Sequence, residues 1–408
     1  MAGHITPQAV SPRYWKIAVL LAALSMVGPF TIDTFFPSFH AIAADFGLSK
    51  LAVQQTLTAY MLPLSIMSLI QGPVSDALGR RPVVLTGLCM YTLASVGCAF
   101  APNFAMLLLF RALQGVSAGV GMIIGRAVIR DLFEGPQAQK LLSLVTMLFA
   151  FAPAVAPVIG GWIHVTLGWH AVFGFMALFG LSLALGAYWL LPETHPEDKR
   201  SHLHFRTLAR TAWSVVCHRE FLLLAVAMGA NFAALMGFIG AAPFVVVDHW
   251  HLKETEFANL FVPVIGGLIS AAYVSGRMAG RFTYAQQSRL GFMLAMSGSG
   301  LMILILAIFP AASIFIQQII LAMIAFGAQL AGPTLSLRML DLFPHSRGSA
   351  ASVQSCVSIA ISALVFGFIA PALSDSMLSL AEGSFCAALV GFLLWRWSQH
   401  SVRPTSTH

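Results

Sequence analysis

Long apolar stretches separated by short polar segments make up nearly all of this chain of 408 residues. Each stretch approaches or exceeds the ~20 residues that a helix needs to cross the hydrocarbon core of a membrane. Strands of a membrane barrel would instead alternate apolar and polar residues. The pattern therefore predicts an all-α integral membrane protein with twelve spans, numbered here in chain order. They are expected at residues 15–38, 52–74, 83–101, 104–126, 141–164, 169–191, 221–247, 258–276, 290–309, 313–337, 350–372 and 380–397.

Composition supports this interpretation. Hydrophobic residues make up 58% of the chain and charged residues only 9%, whereas soluble domains carry about 25% charged residues. So few charges cannot cover a water-exposed surface. A soluble enzyme, a nucleic-acid binder and a secreted domain are therefore excluded.

Lysines and arginines concentrate on one side of the predicted membrane. Nineteen of them lie in segments on the side of the two termini, whereas only Lys50 and Lys253 lie on the other side. Positive residues accumulate in cytoplasmic segments, so both termini are predicted to be cytoplasmic. The net charge of +7 then reflects contact with anionic lipid, without any nucleic-acid partner.

The longest polar segment divides the chain into two halves of six spans each. We predict an N-terminal six-helix bundle at 1–191, a cytoplasmic linker at 192–219 and a C-terminal six-helix bundle at 220–408. Residues 205–216 of the linker form either a short amphipathic helix on the membrane surface or a solvated connector. A Gly-Arg pair at Gly79 recurs 201 residues later at Gly280, which favours duplication of a six-helix unit.

The chain offers no recognisable pattern of metal ligands or paired cysteines. None of the five cysteines forms a CxxC pair, and the histidines lack metal-binding spacing on an apolar helix. We therefore expect no metal, no cofactor and no disulfide.

The segment between spans 2 and 3 reads GPVSDALGRRP from Gly72 to Pro82. It resembles the signature loop of the major facilitator superfamily, GxxxD(R/K)xG(R/K)(R/K), with Ala77 in place of the usual base. Gly79 permits a tight reversal of the chain. The alternative is an ordinary basic hairpin between two helices. The matching positions are Gly72, Asp76, Gly79, Arg80 and Arg81.

Span 4 carries Arg111, Gln114 and Gly115 within an apolar run. The spacing resembles a second superfamily signature, RxxQG, which is linked to proton transfer. A charged residue inside the membrane is costly when unpaired, so Arg111 is expected to face the bundle interior. The alternative is that its side chain extends to the membrane surface.

Span 1 contains Asp33, the only acidic residue placed well inside an apolar run. Its segment, Thr31 to Pro37, resembles the (I/M)DxYLP element of Bcr/CflA-type drug exporters, in which the acid is a proton site. Arg130-Asp131 and Gly168-Trp169-His170 are also similar to that family. The alternative is that Asp33 is a structural partner for another polar group.

Span 5 reads APAVAPVIGG from Ala152 to Gly161. It resembles the GxxxGPxxGG signature found mainly among antiporters of the superfamily, with alanines at two glycine positions. The alternative is a proline-bent packing helix. The residues concerned are Pro153, Pro157, Gly160 and Gly161.

Polar and aromatic residues inside other spans are candidates for a substrate cavity, because such groups usually point inward. They are Phe36, Tyr60, Gln114, Asn231, Phe232, Gln329 and Gln354.

The resemblance implies a major facilitator fold of two six-helix bundles and a monomeric multi-pass protein of the bacterial inner membrane. It also implies proton-coupled export of small amphipathic drugs, with Asp33 and Arg111 in proton coupling. A proton symporter that imports a nutrient is the alternative. A membrane enzyme is disfavoured, since no clustered catalytic acids or Ser–His pair stand out.

The same resemblance implies a gate on the cytoplasmic side. Asp76 is expected to face the first turn of span 11, near Gly348 and Ser349, where free backbone N–H groups attract an anion. It is also expected to engage Arg80, which would be shared with Asp131.

Overall fold

The computed structural model describes residues 12–133, 135–200 and 204–401. All regular secondary structure in these ranges is helical, and twelve helical segments are long and apolar enough to cross a membrane. Their number and order confirm the predicted all-α membrane fold. Spans 2 to 12 comprise Lys50–Leu78, Arg80–Ala99, Phe104–Ala118 with Val120–Leu132, Gly135–Leu167, Trp169–Leu190, Arg219–Gly240, Ala258–Met278, Tyr284–Ile308, Ile314–Asp341, Arg347–Leu364 continuing to Leu373, and Met377–Ser401.

Span 1 is broken into three α-helices, Pro12–Ser25, Val27–Asp33 and Phe39–Asp45. Between the second and third lies a short 3-10 turn, Phe36–Ser38. Pro37 has no N–H to bond the carbonyl of Asp33 four residues earlier, so the α-helix cannot continue through this point. The break places a carboxyl group at the end of a helix in the middle of the span.

Several predicted boundaries differ from the structure by a few residues, and two of them have a clear local reason. Span 7 was expected to reach residue 247, but its helix ends at Gly240 and Phe244–His249 forms a separate π-helical turn after Pro243. Span 9 was expected to begin at 290, but its helix begins at Tyr284. Thr283 and Gln286 bond each other's backbone N–H groups there, and this capping box starts the helix in a polar segment.

The segment between the halves contains the helix Phe205–Val216, called the linker helix below. Val215 is fully buried against Phe221 of span 7, whereas Trp213 is exposed. The linker helix also packs against span 11. The linker helix is therefore docked on the second half.

Spans 1–6 pack mainly with one another, as do spans 7–12, and the halves meet where span 2 lies against span 11 and span 5 against span 8. Spans 2 and 11 run antiparallel. Gln55 Nε2 donates to the carbonyl of Gly367 at 2.8 Å near one end, and Leu69 and Val353 wall a common cavity near the other. We call the end that carries the linker helix and Asp76 the linker end.

The other end of the bundle, called the opposite end, carries Lys50, Asp248 and Asp375. Direct contacts close it between the halves. Gln54 Nε2 donates to the carbonyl of Gly240 at 2.8 Å, and the Phe36 ring packs 6.1 Å from the ring of Phe261. In this conformation the interior is shut off from the opposite end.

Candidate functional site

The broken part of span 1 holds Asp33 inside the first half. Asp33 is 5% exposed, and its neighbours Thr31 and Thr34 are fully buried. Across residues 12–133, 135–200 and 204–401, no basic nitrogen lies within 4.0 Å of the Asp33 carboxylate. An ionised carboxylate in such a position has no compensating charge in contact with it.

Arg111 of span 4 is completely buried. Its Nη1 donates to the carbonyl oxygen of Thr31 at 3.3 Å and to Gln114 Oε1 at 2.8 Å, and its Nε donates to the carbonyl oxygen of Thr56 at 3.2 Å. The Thr31 carbonyl is available because the helix ends at Asp33, and the last carbonyls of a helix have no partner within it. Arg111 therefore faces the interior and does not extend to the membrane surface.

Aromatic rings enclose the same guanidinium group. Its centre lies 4.8 Å from the ring of Tyr60, 5.0 Å from Phe35 and 5.9 Å from Phe173. Rings in this position stabilise a cation by about 0.5–2 kcal/mol each, the larger values applying where water is excluded. The Arg111 charge is thus held by carbonyls, Gln114 and aromatic rings. Sequence reasoning assigned both Asp33 and Arg111 to proton coupling, and the structure shows that the two are not in direct contact.

Tyr91 and Ser95 extend the Arg111 network, and sequence reasoning missed both. Thr31 Oγ1 lies 2.7 Å from Tyr91 Oη, and Gln114 Nε2 donates to Ser95 Oγ at 2.7 Å. Tyr91 is a polar aromatic residue inside an apolar span, a signal that we used for Tyr60 but not for Tyr91. Nη2 of Arg111 and Oη of Tyr60 are buried without a hydrogen-bond partner, so the network retains unused hydrogen-bonding capacity.

The antiporter-type element of span 5 lies directly against Asp33's segment. Span 5 is one continuous helix through Pro153 and Pro157. A Cβ atom at Gly160 would clash with the carbonyl oxygen of Thr34, and one at Gly161 would clash with the carbonyl oxygen of Glu254. The two glycines therefore let span 5 approach the backbone beside Asp33 and, across the interface, the second half.

The signature loop forms a compact polar network inside the first half. Arg80, 8% exposed, places Nη1 at 2.5 Å from Asp76 Oδ1 and 2.6 Å from Ser75 Oγ, while its Nε donates to Asp131 Oδ2 at 3.2 Å. Gly79 has φ +98°, a conformation that side-chain-bearing residues rarely adopt. Arg80 thus joins both acids, as the resemblance implied.

Glu193, at the end of span 6, is a further member of this network that sequence reasoning missed. Its carboxylate accepts from the backbone N–H of Arg80 at 2.9 Å and of Arg81 at 3.3 Å. These N–H groups belong to the first turn of span 3, where an anion is favourable. Thr194 Oγ1 donates to Asp131 at 3.0 Å, and Arg81 Nη2 donates to the carbonyl oxygen of Tyr188 at 2.7 Å. The signal in the sequence is the first acid after span 6, in the segment Leu-Pro-Glu-Thr.

Asp76 also faces the second half. Together with Gly72 it lines a cavity of about 280 Å³ whose other wall includes Gly348 and Ser349 of span 11, and the linker helix covers one side with Leu208 and Ala212. The structure thus places Asp76 across a small cavity from the first turn of span 11.

The seven candidate cavity residues make different contacts in this structure. Gln114 and Tyr60 belong to the Arg111 network, and Phe36 packs at the interface between the halves. In the second half, Asn231 donates to the carbonyl oxygen of Ala328 at 3.4 Å and Gln354 accepts from Ser336 at 3.0 Å. Phe232 and Gln329 are half-buried.

Comparison with known proteins places this architecture in a family. The Major Facilitator Superfamily matches residues 19–367. A Bacillus subtilis (strain 168) protein, the uncharacterized MFS-type transporter YdgK, is 33% identical over 353 residues, covering 86% of this chain and 87% of that protein.

Several relatives carry resistance names. A bicyclomycin resistance protein homolog of Haemophilus influenzae is 28% identical, covering 87% of this chain and 89% of that protein. Multidrug resistance protein D of Escherichia coli (strain K12) is 28% identical, covering 84% of this chain and 85% of that protein.

Solved structures show the same fold at low identity. The human organic anion transporter MFSD10 superposes with a TM-score of 0.70 at 15% identity, covering 96% of this chain and 100% of that one. A D-xylose-proton symporter superposes with a TM-score of 0.69 at 14% identity, covering 94% of this chain and 97% of that one. The chain thus belongs to the major facilitator superfamily, and its relatives are of the Bcr/CflA type.

Proposed function

We propose that this transporter exports small amphipathic drugs from the bacterial cytoplasm across the inner membrane in exchange for protons. The linker end then faces the cytoplasm, and the interior opens alternately to either side. The protein works without a cofactor, as a monomer in the lipid bilayer. The resistance names of the relatives support the substrate class, and the basic side chains of the linker end support the orientation.

Asp33 carries the proposal for proton coupling. Its carboxyl group is 5% exposed at a helix break, and none of the ion pairs among residues 12–133, 135–200 and 204–401 includes it. An unpaired charge at such a depth is costly, and proton binding removes that cost. Because the Thr31 carbonyl beside it is bonded to Arg111, a change at Asp33 is transmitted to the network that joins spans 1, 2, 3 and 4.

Exchange follows from competition between the proton and the drug. When a drug binds near Asp33 and stabilises its ionised form, the proton leaves. When the drug departs on the outer side, a proton returns and resets the site. The inward proton gradient then drives net export.

The decisive experiment uses purified protein in liposomes with an imposed pH gradient and a fluorescent cationic dye as substrate. The wild type should accumulate dye on the acidic side, and Asp33→Asn should reduce gradient-driven accumulation to that of empty liposomes while preserving folding. Asp45→Asn is the matched control, since Asp45 lies in the same span and accepts from Trp169 Nε1. An asparagine oxygen retains that contact.

Two outcomes would contradict the proposal. If Asp33→Asn still concentrates dye at the wild-type rate, Asp33 is structural. If collapse of the gradient in cells lowers substrate content instead of raising it, the protein is a symporter. A growth-inhibition panel of chemically diverse antibiotics in a pump-deficient strain then identifies the substrates.

A further inference from the structure

Ion pairs between the two halves show a consistent polarity at the opposite end. Within residues 12–133, 135–200 and 204–401, four ion pairs join the halves, and all four lie at this end. The first half always supplies the base and the second half always supplies the acid. The bases are His40, Lys50 and His164, and the acids are Asp248, Glu254 and Asp375. We call these contacts the cross-half pairs.

His40 and Lys50 converge on the same acid. His40 Nε2 lies 3.2 Å from Asp248 Oδ1, and Lys50 Nζ lies 3.6 Å from Asp248 Oδ2 and 3.6 Å from Asp375 Oδ1. His40 Nε2 is buried without a hydrogen bond of good alignment, so its attraction to Asp248 depends on the charge of the ring.

The surroundings of His40 contain few other charges. Phe244 packs against both bases, 5.8 Å from the His40 ring and 4.9 Å from Lys50 Nζ. The adjacent His249 contacts the carbonyl oxygen of Ser374 at 2.7 Å, within the second half. A charge on the His40 ring is therefore attracted by Asp248 and opposed by Lys50, which binds the same carboxylate.

His164 forms the second titratable contact, at the last turn of span 5. Its Nε2 lies 3.3 Å from Glu254 Oε2, while its Nδ1 is buried without a partner. Only about 10% of the side chain is exposed. The loop that carries Glu254 also holds Lys253 and Glu256, which bond each other through the Lys253 N–H at 2.8 Å. Glu254 is thus the acid that faces this imidazole.

We propose that His40 and His164 are proton-binding groups of a gate, and that their protonation closes the opposite end of the transporter. Imidazole changes charge between about pH 5 and pH 8. When both rings are neutral, Lys50 alone supplies a full positive charge across the interface. When both are protonated, each carboxylate at the interface faces a cation. Since these charge pairs exist only when the end is closed, acidification favours the closed form and alkalinisation favours opening.

This inference goes beyond the proposed drug:proton exchange. It concerns the conformational equilibrium without substrate, and it requires only that the opposite end opens and closes. In an exchanger, an acidic outer compartment would then promote closure after release of cargo. Asp33 takes no part in this step.

The test measures the distance between the halves at the opposite end of the full-length protein in lipid nanodiscs. The five native cysteines are replaced by alanine, and spin labels are attached at Pro102→Cys and Ala311→Cys. Both positions are exposed in loops of this end, one in each half, and outside the cross-half pairs. From about pH 8 to about pH 5.5 the ratio of closed to open molecules should rise by roughly threefold to tenfold, as expected for two partly exposed pairs.

Substitution distinguishes the gate from other titrating groups. The double variant His40→Gln/His164→Gln should lose this pH response, and each single variant should lose part of it. His170→Gln is the matched control because His170 is exposed at the same end and stacks on Trp169 at 3.7 Å, inside the first half. It should respond as the parent does.

Asp33→Asn should also retain the response, which separates the gate from the proposed coupling site. If the histidine double variant fails to fold, Asp248→Asn/Glu254→Gln tests the same pairs from the other half and should likewise abolish the response. A wild-type pH response in either folded double variant would overturn the proposal. So would a response that disappears with Asp33→Asn alone, or a parent protein with no response.

Discussion

The two ends of the bundle use charge in different ways. At the opposite end, bases of the first half contact acids of the second half. At the linker end, Asp76, Arg80, Asp131 and Glu193 bond one another within the first half. The second half has its own pair there, Arg338 with Glu220 at 2.7 Å.

This difference indicates which contacts must break during transport. Alternating access moves one half against the other around a central site. Contacts within a half travel with it and are kept, whereas the cross-half pairs must be lost when the opposite end opens. On the proposed exchange mechanism, the linker-end network therefore stabilises a rigid unit, whereas the opposite-end contacts set a conformational equilibrium.

The largest effect is expected from Arg80→Ala. The substitution leaves Asp76 and Asp131 side by side without their shared base and should lower the stability of the first half by about 2–4 kcal/mol. Thermal unfolding of the purified protein measures this change. Arg80→Lys should recover only part of it, since an ammonium cannot bond three groups in the same plane. If Arg80→Ala unfolds at the same temperature as the wild type, the linker-end network does not stabilise the first half.

A smaller effect, mainly on conformation, is expected from Gly367→Ala. A Cβ atom at Gly367 would clash with Thr58 Oγ1 across the interface, and overpacking of this kind costs about 1–3 kcal/mol. The closed form should lose population, seen as faster labelling of a cysteine placed in the interior from the opposite side. Gly348→Ala, at the start of the same span, meets no atom within 4 Å and should leave labelling unchanged. Equal labelling of the two variants would contradict the expectation.

Gln54→Ala should also lower the population of the closed form, but by less than Gly367→Ala. It removes one buried hydrogen bond between the halves, to the carbonyl of Gly240, which contributes about 1 kcal/mol. The same labelling assay should show a severalfold rise in opening, while the unfolding temperature changes little. Gln71→Ala is its control, because Gln71 bonds the carbonyl of Val116 inside the first half. A larger rise in opening for Gln71→Ala than for Gln54→Ala would count against the distinction between the two kinds of contact.

The smallest effect is expected from Glu193→Gln. The amide retains one acceptor oxygen for the first turn of span 3 but loses the negative charge and the second oxygen. The expected loss of stability is about 0.5–1 kcal/mol. Thermal unfolding at low salt should reveal it, and added salt should reduce it. A loss of stability equal to that of Arg80→Ala would show that Glu193 contributes as much to the network as Arg80 does.

Much of the architecture follows from local patterns. Runs of about 20 apolar residues predict a span wherever they occur, because no polar backbone can be left unpaired in lipid. The signature loop and Arg111 are recognisable from neighbours within a few residues. Span ends were less predictable, since Thr283 and Gln286 start a helix in a polar segment and Pro243 ends one in an apolar segment.

The partners of the key residues could not be predicted in the same way. Glu193 lies 113 residues from Arg80, and Thr31 lies 60 residues from Tyr91. The sequence showed that Asp33 and Arg111 both lie in the membrane, but their separation depends on where span 1 breaks and how closely span 5 approaches at Gly160.

The sequence by itself determined the number of spans, the division into halves of six and which charged residues lie inside a span. These features depend only on local hydrophobicity and spacing. Only the tertiary structure decided that Arg111 is held by carbonyls and rings instead of by Asp33. It alone also decided that His40 and His164 face acids of the other half. Such contacts join residues far apart in the chain, and packing of whole helices brings them together.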